Sequence, residues 1–422
     1  MPTVIWESGT AYIDMAHGLY AGIGAALMLT GRESRSNLWL GALLLGFAVG
    51  SKYTGLQAVV ATGLVLIPAI GFRTAALACL AAVAVGSPWY VRNVINTGNP
   101  VYPFFYSKLG GKNWSDFNAK IYAEEQGTFG VPKSGIDAIG SAVLGLAYQP
   151  GRYTNPMPAL NAETTPPQGA RGLPVAAMGA ALFVAGLAWA FSGRAGRFER
   201  QALGWVLVTL AMWWALSQQS RYIVTVAPLL AILLGGAAVR LRAGPVVAAV
   251  AALQALYSLW LIKTVRTDVQ LPVVMGQMSR EDYLKQAVSF YEPSQEINSI
   301  VKGGRVALYD EVFGFFLDVP YFWANPGHSM EIDYANLADG KALANRFREM
   351  GITHVYMNLG VDRTASEKFL EATQKGYSDE ERSAAFGDPR TKWRVLVAEA
   401  VRDGELRSVQ TFRNAMLFEV GR

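Results

Sequence analysis

Asn37-Leu38-Trp39-Leu40-Gly41-Ala42-Leu43-Leu44-Leu45-Gly46-Phe47-Ala48-Val49-Gly50-Ser51-Lys52-Tyr53-Thr54-Gly55-Leu56 opens a stretch that stays largely apolar to Gly71. As one straight helix, residues 37–71 would run roughly 50 Å at 1.5 Å per residue, far beyond a hydrocarbon core of about 30 Å. Gly46, Gly50 and the segment Ser51-Lys52-Tyr53-Thr54-Gly55 therefore read as a break between two short helices. A lysine stands at that break.

Working outward, apolar segments recur at about 14–30, 37–51, 54–71, 74–91, 173–192, 201–217, 222–239 and 243–263. At about 20 residues per span they predict a polytopic α-helical membrane protein of about eight spans. Composition points the same way, with 52% hydrophobic and only 16% charged residues, against roughly 25% charged in soluble domains. Residues 1–264 hold 18 Lys/Arg and 9 Asp/Glu, a net +9; residues 265–422 hold 19 and 23, a net −4. The basic pI of about 9.1 thus belongs to span-flanking residues. Nucleic acid is excluded as a partner, because no basic patch accompanies a reading element. Cys79 is the one cysteine, so an intrachain disulfide and a cysteine metal site are excluded.

Eight arginines and no lysine occupy four short loops: Arg32 and Arg35; Arg73; Arg194, Arg197 and Arg200; Arg240 and Arg242. Short loops rich in basic residues stay in the cytoplasm. The other polar segments then fall outside, including a loop at about 92–172 and everything after residue 264. The loop carries Asn96-Thr97-Gly98-Asn99-Pro100, Gly110-Gly111 and Thr165-Pro166-Pro167 as turn formers, and Ile136 to Tyr148 reads as an interfacial helix. Arg305-Val306-Ala307-Leu308-Tyr309 and Ile352 to Met357 read as buried strands, with a helix from Leu343 to Met350 closed by Gly351. Two domains are expected: a membrane domain, 1–264, and a small extracytoplasmic α/β domain, 265–422. The absence of disulfides and the arginine-rich inner loops point to a bacterial plasma membrane, with the second domain in the periplasm. On this topology Met1 to Ile13 would lie outside with no span before it, so either the N-terminus translocates unaided or, the favoured reading, the chain is the downstream piece of a longer protein.

Four features then face one outer surface: Tyr12-Ile13-Asp14, Ser51-Lys52-Tyr53, Ser87-Pro88-Trp89-Tyr90-Val91-Arg92-Asn93 with Gly98-Asn99-Pro100, and Gln218-Gln219-Ser220-Arg221-Tyr222. A charge at the centre of a span costs roughly 2.5–3.5 kcal/mol on insertion scales and less near its ends. Lys52, Arg92 and Arg221 suit a lipid-borne phosphate, Arg as a fork and Lys as a point charge. Asp14 suits a hydroxyl or sugar as base or orienting acceptor. Blander readings stand beside these: Lys52 snorkelling, Arg92 and Arg221 on bulk headgroups, Asp14 capping its helix. His17, one turn from Asp14, reads first as a satisfied interior histidine and second as a catalytic partner. Glu7, Glu124 and Glu125 rank below Asp14, because nothing anchors them near the cations. Trp213 and Trp214 fit an interfacial aromatic belt. His328 and His354 are isolated, and no metal-ligand spacing occurs.

Gly46 to Gly55 resembles the G-x-x-x-x-(S/T)-K-Y-(T/S)-G segment of GT-C-fold, polyprenyl-phosphate-sugar-dependent glycosyltransferases, the group of protein O-mannosyltransferases and aminoarabinose transferases. Pro88-Trp89-Tyr90-Val91-Arg92-Asn93 with Gly98-Asn99-Pro100-Val101-Tyr102-Pro103 is similar to that family's P-W-x-x-R-N…G-N-P-x-(Y/F)-P. Ala11-Tyr12-Ile13-Asp14 looks like its A-Y-x-D, and Arg221-Tyr222 with Pro228 like its R-Y-x-x-x-x-x-P. The resemblance covers residues 1 to about 264. It implies a sugar moved from a polyprenyl-phosphate donor to a lipid, glycan or protein acceptor on the outer face. Lys52, Tyr53, Arg92, Asn93, Arg221 and Tyr222 would bind substrate, and Asp14 would assist as an acid. The family's principal catalytic acid lies in a first external loop that this sequence lacks. No cofactor is implied, and a divalent metal is not required where two cations neutralise the phosphate. Two rival readings are a transporter or flippase of lipid-linked sugars and a non-catalytic membrane subunit; the last expects Lys52 and Arg221 to face lipid without converging.

Overall fold

The computed structural model describes residues 4, 7, 8, 12–127, 181–192, 195–263, 267–327 and 330–421, with isolated positions between 130 and 142. Most of the helix expected over 136–148 lies outside the described residues, as do residues 173–180, Arg194 and His328. The chain divides into two compact units: Met1–Tyr102, Glu124–Pro158 and Pro166–Gln277 form the first, and Pro103–Ala123, Ala159–Thr165 and Met278–Arg422 the second.

The first unit is helical. Its helices include α1 (Asp14–Leu29), α2 (Arg35–Ser51), α3 (Thr54–Ile70), α4 (Phe72–Thr97), α5 (Ala181–Ser192) and α6 (Arg197–Ala215). A 3₁₀ helix, Ser220–Val226, runs into α7 (Ala227–Arg240), and α8 (Gly244–Ile262) follows. Ser34 starts α2 by accepting from the Asn37 amide at 3.3 Å, the expected N-cap bond. The break falls at Lys52, whose backbone is extended (φ −160°, ψ 145°), and Tyr53 returns to helical angles. Gly55 makes so tight a return possible. A Cβ there would lie 2.5 Å from both the Ala48 carbonyl oxygen and the Val49 nitrogen. Without one, the first turn of α3 lies directly on the last turn of α2. The core is built from small and branched apolar side chains, among them Ala21, Ala25, Ala42, Leu45, Ala48, Ala61, Ala78 and Ala82, with Trp205 fixed by its Nε1 donating to Thr62 Oγ1 at 2.9 Å.

The expectation of an eight-span polytopic fold is overturned. Among the described residues two helices are long and apolar enough to cross a membrane, Phe72–Thr97 and the continuous Ser220–Arg240. Their length and composition point to membrane association. Helices α1, α2 and α3 have 16, 17 and 17 residues, short of the roughly 20 a span needs. Helix α6 carries Arg197, Glu199 and Arg200 in its first turn, which leaves its apolar part shorter still. Hydropathy alone does not separate a helix buried among other helices from one bathed in lipid, and these segments bury a large share of their residues against one another.

The second unit holds a five-stranded mixed sheet in the order β2-β1-β3-β5-β4. The strands are β1 (Arg305–Tyr309), β2 (Tyr321–Trp323), β3 (Ile352–Asn358), β4 (Leu406–Phe412) and β5 (Ala415–Val420). Strands β2, β1 and β3 are parallel, whereas β5 and β4 add as an antiparallel pair. Alternation along β1 and β3 sends side chains to opposite faces. Ala307, Tyr309, Val355 and Met357 meet α10 (Gly340–Glu349), α11 (Arg363–Lys375) and α12 (Pro389–Arg402), while Val306, Leu308 and Tyr356 meet α9 (Tyr291–Ile300). Both faces are covered, which suits the nearly continuous apolar reading of these strands.

Gly55→Ala should destabilise the first unit by about 1–3 kcal/mol, the usual cost of overpacking. Gly50→Ala, whose Cβ would sit 3.6 Å from the nearest atom, Gly86 Cα, should be tolerated. Thermal unfolding of both variants in one detergent compares them. Equal midpoints would refute the tight turn.

Candidate functional site

The arginine-bearing turns gather at one end of the first unit. Arg197 donates to the Ala69 carbonyl at 3.0 Å and lies 3.9 Å from Glu33, and Arg240 pairs with Glu199. Asp14 begins α1, Lys52 follows α2 and Arg221 is the second residue of the 3₁₀ segment, so these three occupy the opposite ends of the same elements.

There they converge. Lys52 Nζ donates to Asp14 Oδ1 at 2.5 Å, and the Asp14 side chain is 4% exposed. The Lys52 ammonium also stands over the Tyr222 ring, 4.1 Å from its centroid, and the Arg221 guanidinium lies 5.4 Å from the same centroid. The two cations are therefore within about 10 Å of each other. Arg221 also lies over Tyr12, at 5.0 Å, and its Nε donates to Gln219 Oε1 at 3.0 Å. Gln219 is held in turn: its Nε2 donates to Gln126 Oε1 at 3.1 Å, and its carbonyl accepts from Trp213 Nε1 at 2.7 Å. Ser220, one residue before Arg221, is buried, and its hydroxyl has no hydrogen-bond partner among the described residues, a cost that a ligand atom or water would remove. Close helix approach brings the Arg221 segment in. A Cβ on Gly22 of α1 would lie 2.7 Å from Pro228 Cγ and 3.0 Å from the Thr225 carbonyl oxygen.

Burial holds the Lys52 ammonium below the usual lysine range, and Asp14 opposes that by charge and hydrogen bond. Glu7 joins the same field and is itself buried. Its place was not legible in the sequence, where seven residues of chain to Asp14 give no sign of proximity. His17 is an interior histidine with both ring nitrogens engaged: Nε2 with Thr54 Oγ1 at 2.8 Å, Nδ1 with Ser51 Oγ at 3.1 Å and the Ala48 carbonyl at 3.2 Å. It ties α1 to the break that carries Lys52.

The remaining sequence candidates go elsewhere. Arg92 is exposed, its guanidinium 5.2 Å from the ring of Trp89 one turn back on its own helix. Tyr53 and Asn93 form a clip. Asn93 Nδ2 donates to Tyr53 Oη at 2.7 Å and to the Pro100 carbonyl at 3.2 Å, and Tyr53 donates to the Tyr102 carbonyl at 2.6 Å. That clip shapes the 98–102 turn. Glu124 is exposed. Trp213 is a buried core side chain, not a belt aromatic. His354 sits in β3 beside Thr353, Nδ1 to Oγ1 3.0 Å. Among the described residues no three His, Cys, Asp or Glu side chains group as a metal site.

The first unit also holds an apolar cavity of about 520 Å³. Met15 and Gly18 of α1, Val224 and Pro228 of the 3₁₀–α7 segment, and Val250 and Gln254 of α8 are in its wall. In sequence, Met15 of that wall follows Asp14 by one residue and Val224 follows Arg221 by three. No family model and no curated protein matches the chain.

Lys52→Met should cost about 3–5 kcal/mol, because it strands a buried carboxylate, whereas Asp14→Leu with Lys52→Met should recover much of that loss. A double-mutant cycle on unfolding free energy decides it, and additive single effects would rule out the pair. A second outcome follows from His17, which burial first and the Lys52 charge second hold down to about 4. The unfolded chain then takes up this proton near pH 6.5 and the folded chain only near 4. Acidification from 6.5 to 4 therefore favours unfolding. The melting midpoint should fall over that window, and fall less in His17→Gln; parallel curves would contradict it.

Proposed function

We propose that this chain handles a polyprenyl-phosphate-linked sugar at a membrane and transfers the sugar to an acceptor hydroxyl or amine. One observation carries the reading: two cations share the ring of Tyr222, and the helix segments that carry Asp14 and Arg221 also supply Met15, Gly18, Val224 and Pro228 to the wall of an apolar cavity. A ligand with a phosphate and an isoprenoid tail matches both parts, its charge on Lys52 and Arg221 and its chain along Met15, Gly18, Val224 and Pro228. A free sugar phosphate would leave the cavity unused, and a neutral lipid would leave the cations unused. Convergence of Lys52 and Arg221 also disfavours the non-catalytic subunit, which expected them apart. The proposed site belongs to an extracytoplasmic membrane face, and the resemblance to polyprenyl-phosphate-sugar glycosyltransferases enters at the same residues.

In the proposed reaction the anomeric carbon leaves its phosphate and bonds to the acceptor oxygen or nitrogen. The bond electrons go to the phosphate and the acceptor's proton to a base. Lys52 and Arg221 stabilise the phosphate as its charge grows; removing one such donor usually costs about 10²–10³-fold in rate. Asp14, closed on Lys52, is a positioning residue that sets where the ammonium points.

Farnesyl phosphate binding to the full chain in nanodiscs tests the grip without turnover. Wild type should bind farnesyl phosphate at least tenfold more tightly than farnesol, and Lys52→Gln or Arg221→Gln should erase the difference. Equal affinity for the alcohol and the phosphate in wild type would sink the proposal. Transfer of labelled sugar from a short polyprenyl phosphate should fall at least 100-fold in either variant.

A further inference from the structure

A second cavity, of about 260 Å³, lies wholly within the second unit. It sits where a parallel sheet places ligands. After β1 the chain moves to β2 at one edge, then returns past β1 to β3, so strand order reverses beside β1. Open α/β sheets bind ligands outside the carboxyl ends of the strands at such a reversal. Asp310 and Glu311 follow β1 here, and Trp323 and Asn325 end and follow β2.

These side chains are held in place. Asp310 has φ +54°, a left-handed conformation uncommon for a non-glycine residue and concentrated at functional sites. Asn325 maintains it from both sides. Its Oδ1 accepts from the Asp310 amide at 2.7 Å, and its Nδ2 donates to Asp310 Oδ1 at 2.8 Å. Arg394 of α12 donates to Asp310 Oδ2 at 2.8 Å, over a Trp393 ring that stacks on Tyr309 at 4.6 Å. Glu311 is 6% exposed, yet it lines the cavity. Its Oε1 accepts from the Val312 and Phe313 amides at 2.8 and 3.0 Å, while Oε2 has a long contact of 3.4 Å to Asn358 Nδ2. A carboxylate has about four acceptor positions, so both acids retain capacity to accept.

We propose that this cavity binds one neutral sugar residue, its hydroxyls donating to Glu311 and Asp310 and its C–H face lying on Trp323. An anion would meet two carboxylates beside two arginines that are already engaged, Arg394 with Asp310 and Arg390 with Asp388. A metal ion would find Asp310 balanced by Arg394 and Glu311 occupied by two amides. A purely apolar ligand would strand both acids in a dry contact. A ring that offers several hydroxyls on one side and C–H groups on the other suits acceptors facing Trp323, Val312 and Pro326. The volume is below the roughly 300–1,000 Å³ of drug-sized pockets, and fits a single ring. This site is separate from the Lys52 cluster and does not depend on its function.

The test uses the full chain in a detergent without a sugar headgroup. Glucose, galactose, mannose and N-acetylglucosamine are titrated separately, read by saturation-transfer NMR and tryptophan fluorescence. At least one should bind saturably, and Trp323→Ala and Glu311→Gln should each weaken it at least tenfold. Trp323 is 43% exposed on an edge strand, so its variant folds and remains informative if Glu311→Gln does not. No saturable binding by any of the four sugars would overturn the proposal. So would wild-type affinity in Trp323→Ala, or saturable binding of inorganic phosphate or calcium in place of every sugar.

Discussion

The ion pair between Asp14 and Lys52 is the constraint around which the first unit is arranged. Removing two charges from water costs several kcal/mol per ion, and their attraction offsets this only with close contact and further partners. Here the contact is 2.5 Å, and the ring of Tyr222 supports the ammonium from another side. Backbone geometry supplies the rest. The extended conformation at Lys52 ends α2, Gly55 lets α3 return at once, and His17 fastens α1 to that turn through Thr54 and Ser51. The N-terminus of α1 and the α2–α3 break are thus positioned by one set of polar contacts inside a largely apolar bundle.

That apolar setting explains both what was legible in the sequence and what was not. The break at Ser51-Lys52-Tyr53 could be read because a lysine and flanking glycines interrupt an apolar run too long for one span. The number of spans could not. Ala21, Ala42, Ala48 and Ala61 contribute to hydropathy as they would in lipid, yet they are buried against neighbouring helices. Helix α4 is different. Its most apolar stretch is only 22% buried, and Leu77 and Leu80 face outward. Burial, a property of packing, separates these two cases, and the residue string does not contain it.

The same limit divides the candidate site. Asp14, Lys52 and Arg221 were recognisable as charges at the ends of apolar segments, a placement that costs free energy without a reason. Arg92 looked equivalent by that test. Its position on α4 turns it onto Trp89 instead, so equal charge at equal depth did not mean equal direction. Tyr53 and Asn93, adjacent to two of the cations in sequence, hold each other and a turn. Glu7 was passed over, although it shares the field at Lys52. In the second unit β1, β3 and the helix before β3 were visible as local patterns. The parallel order that places Asp310, Glu311 and Asn325 together arises from pairings between strands far apart in the chain.

Charge balance sets how the first site can work. Glu7 and Asp14 offset Lys52 and Arg221, so the closed cluster carries no net formal charge. A phosphate arriving at that cluster would meet two acids as well as two bases, and in a low-dielectric setting the repulsion is not screened. Binding is favourable only where the lysine exchanges Asp14 for the phosphate oxygen, because the ammonium then keeps a partner throughout. A lysine suits this exchange. Its charge is a point on a flexible stem that re-aims without breaking a planar fork, whereas an arginine paired to Asp14 would surrender two directed bonds. Arg221, held by Gln219 and the rings of Tyr12 and Tyr222, is the fixed member of the pair of cations. The grip on a phosphate then depends less on how many positive groups surround it than on how readily the Asp14–Lys52 contact opens.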